Sequence, residues 1–249
     1  MSDTNEMSLT PSGTSRFATT QWSVVLAAGS PGSTRYQEAL EMLCRTYWFP
    51  LYAFLRRQGH KAHQAEDYTQ AFFAQILEKQ YLTQVEPKPG KFRSFLLTAL
   101  KHFLSKERDR ALALKRGGAQ KIMPLDFKNA ENKYSIEPVS ELSPEKLFEK
   151  SWALTVLQQT MDRLETESVK TNKKKLFDRL KVYLSVEKSS IPYSDVATEL
   201  DMTEGAVRVA VHRLRRQYRE LLRNEISQTV ATEEEIDEEI RDLFTALAP

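Results

Sequence analysis

Cysteine is almost absent: Cys44 is the only one in 249 residues, so no internal disulfide exists and a reducing compartment is expected. Glycine is scarce, at eight residues, which disfavours a turn-rich sheet protein and favours helices with short connections. There is no secretory apolar segment and no unbroken apolar run long enough to span a bilayer. The expectation is a soluble, cytoplasmic chain with no membrane partner. No phosphate loop, nucleophile motif or dinucleotide fingerprint occurs, so no catalytic residue and no cofactor is expected. Glu66 and Asp67 are a poor carboxylate pair, because adjacent residues on a helix point in different directions. His60 and His63 have metal-compatible spacing, with Cys44 and Asp67 as conceivable partners. Without a second compact ligand pair they read as a solvated corner, and no metal is expected.

Charge, by contrast, is plentiful and segregated. The net charge of +2 conceals a basic block from Lys91 to Lys121 and an acidic end holding Glu233, Glu234, Glu235, Asp237, Glu238, Glu239 and Asp242. A second basic block lies between Arg208 and Arg223. Two cationic blocks far apart in sequence suit an extended polyanion as partner.

The second block belongs to SIPYSDVATELDMTEGAVRVAVHRLRRQYRELLR, residues 190–223, which reads as a helix-turn-helix. Val196, Ala197 and Leu200 form the stripe of its first helix. Asp201 sits at the turn and Met202 plugs the corner. Thr203 is placed to cap the next helix, whose buried face is Val207, Ala210, Val211 and Leu214. The opposite face presents Arg208, His212, Arg215 and Arg216, flanked by Arg213 and Arg219. Together with Thr203 and Glu204 at its start, it is the candidate DNA-reading surface. A major groove admits one helix, and guanidinium forks suit phosphates and guanine edges.

The remaining periodicity is helical throughout, predicting an all-α chain of two helical domains. Residues 1–15 read as a disordered arm. Residues 16–116 form a first bundle, with Pro50 kinking or breaking the helix from Tyr36 to Arg57. Residues 117–144 read as a linker, 145–225 as a second domain entered through a Ser143 cap and Pro144, and 226–249 as an acidic tail. In the first bundle, GKFRSFLLTALKHFLSKERDR mixes cations with aromatics, as a surface holding unpaired bases requires. Phe95 and Phe103 read as core. Phe92, beside the Pro/Gly loop, is balanced between core and base stacking.

AEDYTQAFFAQILEK (Ala65 to Lys79), a loop, and then that basic segment resemble the second domain of bacterial RNA polymerase sigma factors. The helix-turn-helix resembles their fourth domain. Two such domains and no third resemble the extracytoplasmic-function (ECF) group. The resemblance implies a non-enzymatic factor that binds the polymerase core, recognises minus-thirty-five and minus-ten promoter elements, and promotes melting. Glu66, Asp67, Gln70, Phe73, Gln75 and Leu77 would meet polymerase. Lys91, Phe92, Arg93, Lys101, Lys106 and Arg108 would hold the minus-ten region and its melted strand. Thr203, Glu204, Arg208, His212, Arg213, Arg215 and Arg216 would read the duplex. An anti-sigma factor is a further partner that the resemblance leaves room for. The rival reading is a helix-turn-helix repressor or activator that never joins polymerase. Two departures stand out: ETESVKTNKKK replaces the usual Leu-Pro-rich entry to the fourth domain, and Asp201 stands where Gly is common. Asp tolerates a left-handed turn, so the motif should survive. The acidic tail reads either as a solubilising extension or as a competitor with DNA for Arg213 to Arg223.

Overall fold

The computed structural model describes residues 34–77, 91–113, 127–136, 142–184, 191–230 and 232–248. The arm at 1–15, residues 16–33 at the start of the first bundle, the Pro/Gly loop at 81–90, most of the linker and the Leu77 side chain lie outside the described residues. The described residues are helical, and no strand occurs among them. The elements are α1 (Thr34–Arg57), α2 (Ala62–Leu77), α3 (Phe92–Ala113), α4 (Phe127–Ile136), α5 (Pro144–Lys170) and α6 (Lys174–Leu180). A 3-10 turn (Lys181–Leu184), α7 (Tyr193–Leu200), α8 (Glu204–Ser227) and α9 (Glu234–Leu247) follow.

The two most extensively packed helices are α1 and α5. Tyr47, Leu51, Phe54 and Leu55 of α1 share one buried cluster with Phe148, Trp152 and Val156 of α5. Phe72, Phe73 and Ile76 of α2 and Phe92, Leu96, Leu100 and Phe103 of α3 complete one side of it. Leu222 and Ile226 of α8 and Ile236 and Leu243 of α9 also belong to it. A second cluster joins Leu180, Tyr183, Val196, Ala197, Val207 and Val211, and a third, smaller one joins Leu164, Phe177 and Leu221. Helices α5 and α8 therefore act as struts, each contributing side chains to more than one cluster along its length.

Helix α1 runs unbroken through Pro50, so of the two outcomes open in the sequence the break does not occur. Three of the described helices end in left-handed residues: Gly59 (φ 93°), Asn172 (φ 55°) and Asp201 (φ 53°). Each closes a paired hydrogen-bond motif that satisfies the last carbonyls of its helix. After α1, His60 N–H donates to Leu55 O (3.2 Å) and Gly59 N–H to Arg56 O (3.0 Å). After α5, Lys173 N–H donates to Ser168 O (2.8 Å) and Asn172 N–H to Val169 O (3.0 Å). At the other end of α5 the expected Ser143 cap forms, its hydroxyl accepting from Lys146 N–H at 3.2 Å, with Pro144 next to it.

Two stretches differ from their reading as linker and tail. Within the linker, α4 forms and docks on α1. Arg56 makes a two-pronged bond to Glu131 (2.7 and 3.0 Å), Tyr52 donates to the same carboxylate at 2.5 Å, and the Arg56 guanidinium lies over Tyr134. Within the tail, α9 folds with Ile236 and Leu243 in the main core and Ile240, Ala246 and Leu247 packed against it. Its apolar spacing of three and four residues gives it one face to bury, and its acidic first turn complements the helix dipole.

Candidate nucleic-acid interface

The helix-turn-helix begins with the corner between α7 and α8. Asp201 takes φ 53° and ψ 49°. Met202 N–H then donates to Ala197 O at 2.9 Å and Asp201 N–H to Thr198 O at 3.5 Å, the third use of the paired end motif. Thr203 accepts from Ala206 N–H at 3.2 Å, as its position in the sequence predicts. Its hydroxyl is thus engaged as the cap of α8. Replacing Thr203 with alanine should cost about 1 kcal/mol, whereas Asp201→Gly should leave stability unchanged or slightly raised; urea unfolding of both variants checks this pair.

Val207 and Val211 are buried against Val196 and Ala197, so the outward arc of α8 is set by helical geometry. That arc holds Arg208, Val209, His212, Arg213, Arg216 and Arg219, all exposed. Their commitments differ. Arg208 bonds Glu204 at 2.6 Å and lies over the Tyr193 ring. Arg216 bonds Glu220 at 2.8 Å. Both pairs are surface pairs one helical turn apart, worth little and readily exchanged for a phosphate. Arg215 instead turns back to the Tyr183 carbonyl (2.9 and 3.0 Å), joining α8 to the 3-10 turn. Of the arginines expected to read DNA, it is the one turned back onto the backbone of another element. His212, Arg213 and Arg219 have no ion-pair or hydrogen-bond partner among the described residues. Val209, 50% exposed, was not singled out from the sequence. Its place beside His212 and Arg213 on a basic helix suits contact with a thymine methyl.

The second expected set splits in two. Lys101, Lys106 and Arg108 are exposed along α3, and Lys101 bonds Glu145 of α5 at 2.8 Å. Lys91, Phe92 and Arg93 are enclosed. Phe92 has no exposed surface and meets Tyr47 edge-on at 5.1 Å, so it is a core residue in this structure and not an accessible stacking platform. Arg93 is 6% exposed. Its Nε donates to Glu239 Oε1 (2.7 Å), its Nη2 to Glu239 Oε2 (3.0 Å) and Asp242 Oδ2 (2.6 Å), and its Nη1 to Glu149 Oε1 (3.0 Å). The same guanidinium lies over the Trp152 ring, 4.8 Å from its centre. Lys91 pairs with Asp242, and also with Glu239 at 3.3 Å and Glu238 at 3.6 Å. Neither Glu239 nor Trp152 was linked to these cations from the sequence.

Burial pushes the Asp242 carboxyl up, but Lys91 and Arg93 outweigh it and hold the group below its ordinary value. Glu131 is likewise held low, burial being outweighed by the bonds from Tyr52 and Arg56. Carboxyls with lowered values stabilise the fold above their ordinary range, and that contribution is lost as they protonate. Stability should therefore be level above about pH 5 and fall as pH drops through and below about 4. Urea midpoints across that range check it, and Asp242→Asn with Glu131→Gln should flatten the profile.

In the third set, Glu66, Gln70 and Gln75 are partly exposed and Asp67 is exposed on α2, whereas Phe73 is 1% exposed in the core. The surface of α2 that a protein partner could meet is thus polar and acidic, without the expected phenylalanine. His60 packs edge-on against Tyr68, and no group of three metal-ligating side chains occurs among the described residues. No described helix is long and apolar enough to cross a membrane. No family model, curated protein or solved structure matches the chain.

Proposed function

We propose that this protein is an ECF-like sigma factor: a two-domain, non-enzymatic subunit that binds bacterial RNA polymerase core, recognises minus-thirty-five and minus-ten elements, and promotes melting. The observation that carries the DNA-binding half is the geometry of α7 and α8. A left-handed corner and a capped second helix project His212, Arg213 and Arg219 outward on an arc shared with Arg208, Val209 and Arg216. The polymerase half rests on the resemblance of Ala65–Lys79 and Gly90–Arg110, supported by the polar surface of Glu66, Asp67, Gln70 and Gln75. Residues 16–116 would form the polymerase and minus-ten domain and 145–225 the minus-thirty-five domain.

The test is run-off transcription with purified bacterial core polymerase on genomic fragments, with and without the protein. Discrete new start sites are expected. The second reading, a repressor or activator acting on duplex DNA alone, is favoured by the enclosure of Phe92 and Arg93. Specific duplex binding without any initiation would establish it over the first. On either reading Arg213→Ala should weaken duplex binding and lower the slope of log affinity against log salt by about 1, as loss of one phosphate contact does. Electrophoretic mobility shifts at several salt concentrations read that slope.

A further inference from the structure

Helix α9 places its carboxylates on the two cations at the start of α3. Glu239, with no exposed surface, receives two bonds from Arg93 in the parallel fork geometry that a phosphate would also accept. Asp242 binds Arg93 and Lys91 together, and Glu238 stands 3.6 Å from Lys91. The turn before α9 adds a backbone bond, Thr229 O accepting from Phe92 N–H at 3.1 Å. Arg223 of α8 holds Asp237 from the other side. A buried ion pair of this kind adds little stability over an apolar pair of the same volume, and its best-attested use is to specify register or a switch. Helix α9 is also the last element of the described chain, 14 residues long, and Phe244 on its outer side is half exposed.

We infer that α9 is an acidic cover that occupies Lys91 and Arg93 as a mimic of a nucleic-acid backbone, so that a single strand reaches these residues only when α9 is displaced. The inference rests on the reading of residues 16–116 as a minus-ten domain that promotes melting, given under Proposed function. It also assigns the acidic end a target beyond the Arg213 to Arg223 segment considered in the sequence, of which Arg223 meets Asp237. Competition is direct: the carboxylates and a phosphodiester chain want the same guanidinium and ammonium donors. The remaining acids of α9, including Glu234 and Glu235, repel a strand for as long as the helix stays seated.

The experiment uses the full chain and a labelled single-stranded DNA oligonucleotide of mixed sequence, followed by fluorescence anisotropy at low salt. The variant Glu238→Gln/Asp242→Asn loosens α9 and keeps the buried Arg93–Glu239 pair. It should bind the strand about tenfold more tightly than the wild type, because a strand reaching Lys91 and Arg93 then displaces α9 against two fewer carboxylates. The control Glu233→Gln/Glu234→Gln makes the same change in net charge away from Lys91 and should move affinity less than about twofold. Equal affinity in the variant and the wild type, or an equal gain in the control, overturns the inference. Hydrogen exchange on the unmodified protein gives an independent reading. Saturating strand should remove amide protection from residues 234–247, and unchanged protection there also overturns it. Transcription separates this outcome from that of the parent reading. No initiation by any variant, with release of α9 on single strands, removes the sigma reading and keeps the cover. Equal initiation by wild type and variant, with α9 still protected, keeps the sigma reading and removes the cover.

Discussion

Arg93→Ala is expected to destabilise the protein by about 3–5 kcal/mol, the largest loss foreseen for any single charged side chain in it. The cost comes less from the bond removed than from what stays behind. Glu239 has no exposed surface, and its carboxylate accepts two of its bonds from Arg93. Lys91, 3.3 Å away, is the remaining cation beside it. Alanine also removes the guanidinium from the face of Trp152, which loses a cation–aromatic contact of about 0.5–2 kcal/mol. Two comparisons separate these contributions. Lys91→Ala should cost less, because the bonds from Arg93 keep Glu239 paired. The double change Arg93→Met/Glu239→Leu should recover most of the loss, since an apolar pair of similar volume needs no desolvation. Chemical unfolding followed by circular dichroism measures all three. If the double variant were as unstable as the single one, the loss would come from packing and not from an unpaired charge.

Local signals carried the parts of this fold that were readable from the chain. Thr203, three residues before the amide it caps, and Ser143 followed by Pro144 announce helix starts by chemistry that operates within one turn. Asp201 in the left-handed corner belongs to the same class, and so does the stripe of Val207 and Val211. The pairing of Arg93 with Glu239 is of another kind, because the partners are 146 positions apart. Both charge blocks are visible in the sequence, but a charge pattern does not name its partner. Basic residues beside a Pro/Gly loop suit a phosphate as well as they suit a carboxylate. Helix α4 was missed for a related reason. Ten residues carry too little periodicity to mark a helix, and its place is set by Tyr52 and Arg56 reaching Glu131 from another element. Helix α9 was half legible. Ile236, Ile240, Leu243 and Leu247 recur at helical spacing, but the density of acids around them suggested a solvated tail. Within the candidate interface, the outward arc of α8 was legible because helical geometry alone assigns it. That Arg215 turns back to a carbonyl was not, since Tyr183 lies in a separate element.

Trp152→Ala should cost a further 3–5 kcal/mol or so, by a different mechanism. The indole has no exposed surface and sits on α5 within the cluster that gathers α1, α2, α3, α8 and α9. Truncation leaves a void at the point where these helices meet, and α1 and α5, which pack most extensively on each other, cannot close it without moving. The indole N–H makes no well-formed hydrogen bond among the described residues, so Trp152→Phe should lose volume without losing a bond and cost well under half as much. The ring is also the floor beneath Arg93, 4.8 Å from the guanidinium carbon. The two alanine changes should therefore be non-additive, the double variant losing about 1 kcal/mol or more less than the sum of the singles. That coupling distinguishes a ring that supports the ion pair from one that merely fills space. It also carries a consequence for α9. If the floor is lost, Arg93 loses its fixed orientation and with it the two-pronged hold on Glu239. Hydrogen exchange in Trp152→Phe should then remain slow across residues 234–247, while in Trp152→Ala it should rise there before it rises in α7 and the first half of α8, whose buried side chains Val196, Ala197, Val207 and Val211 form a separate cluster.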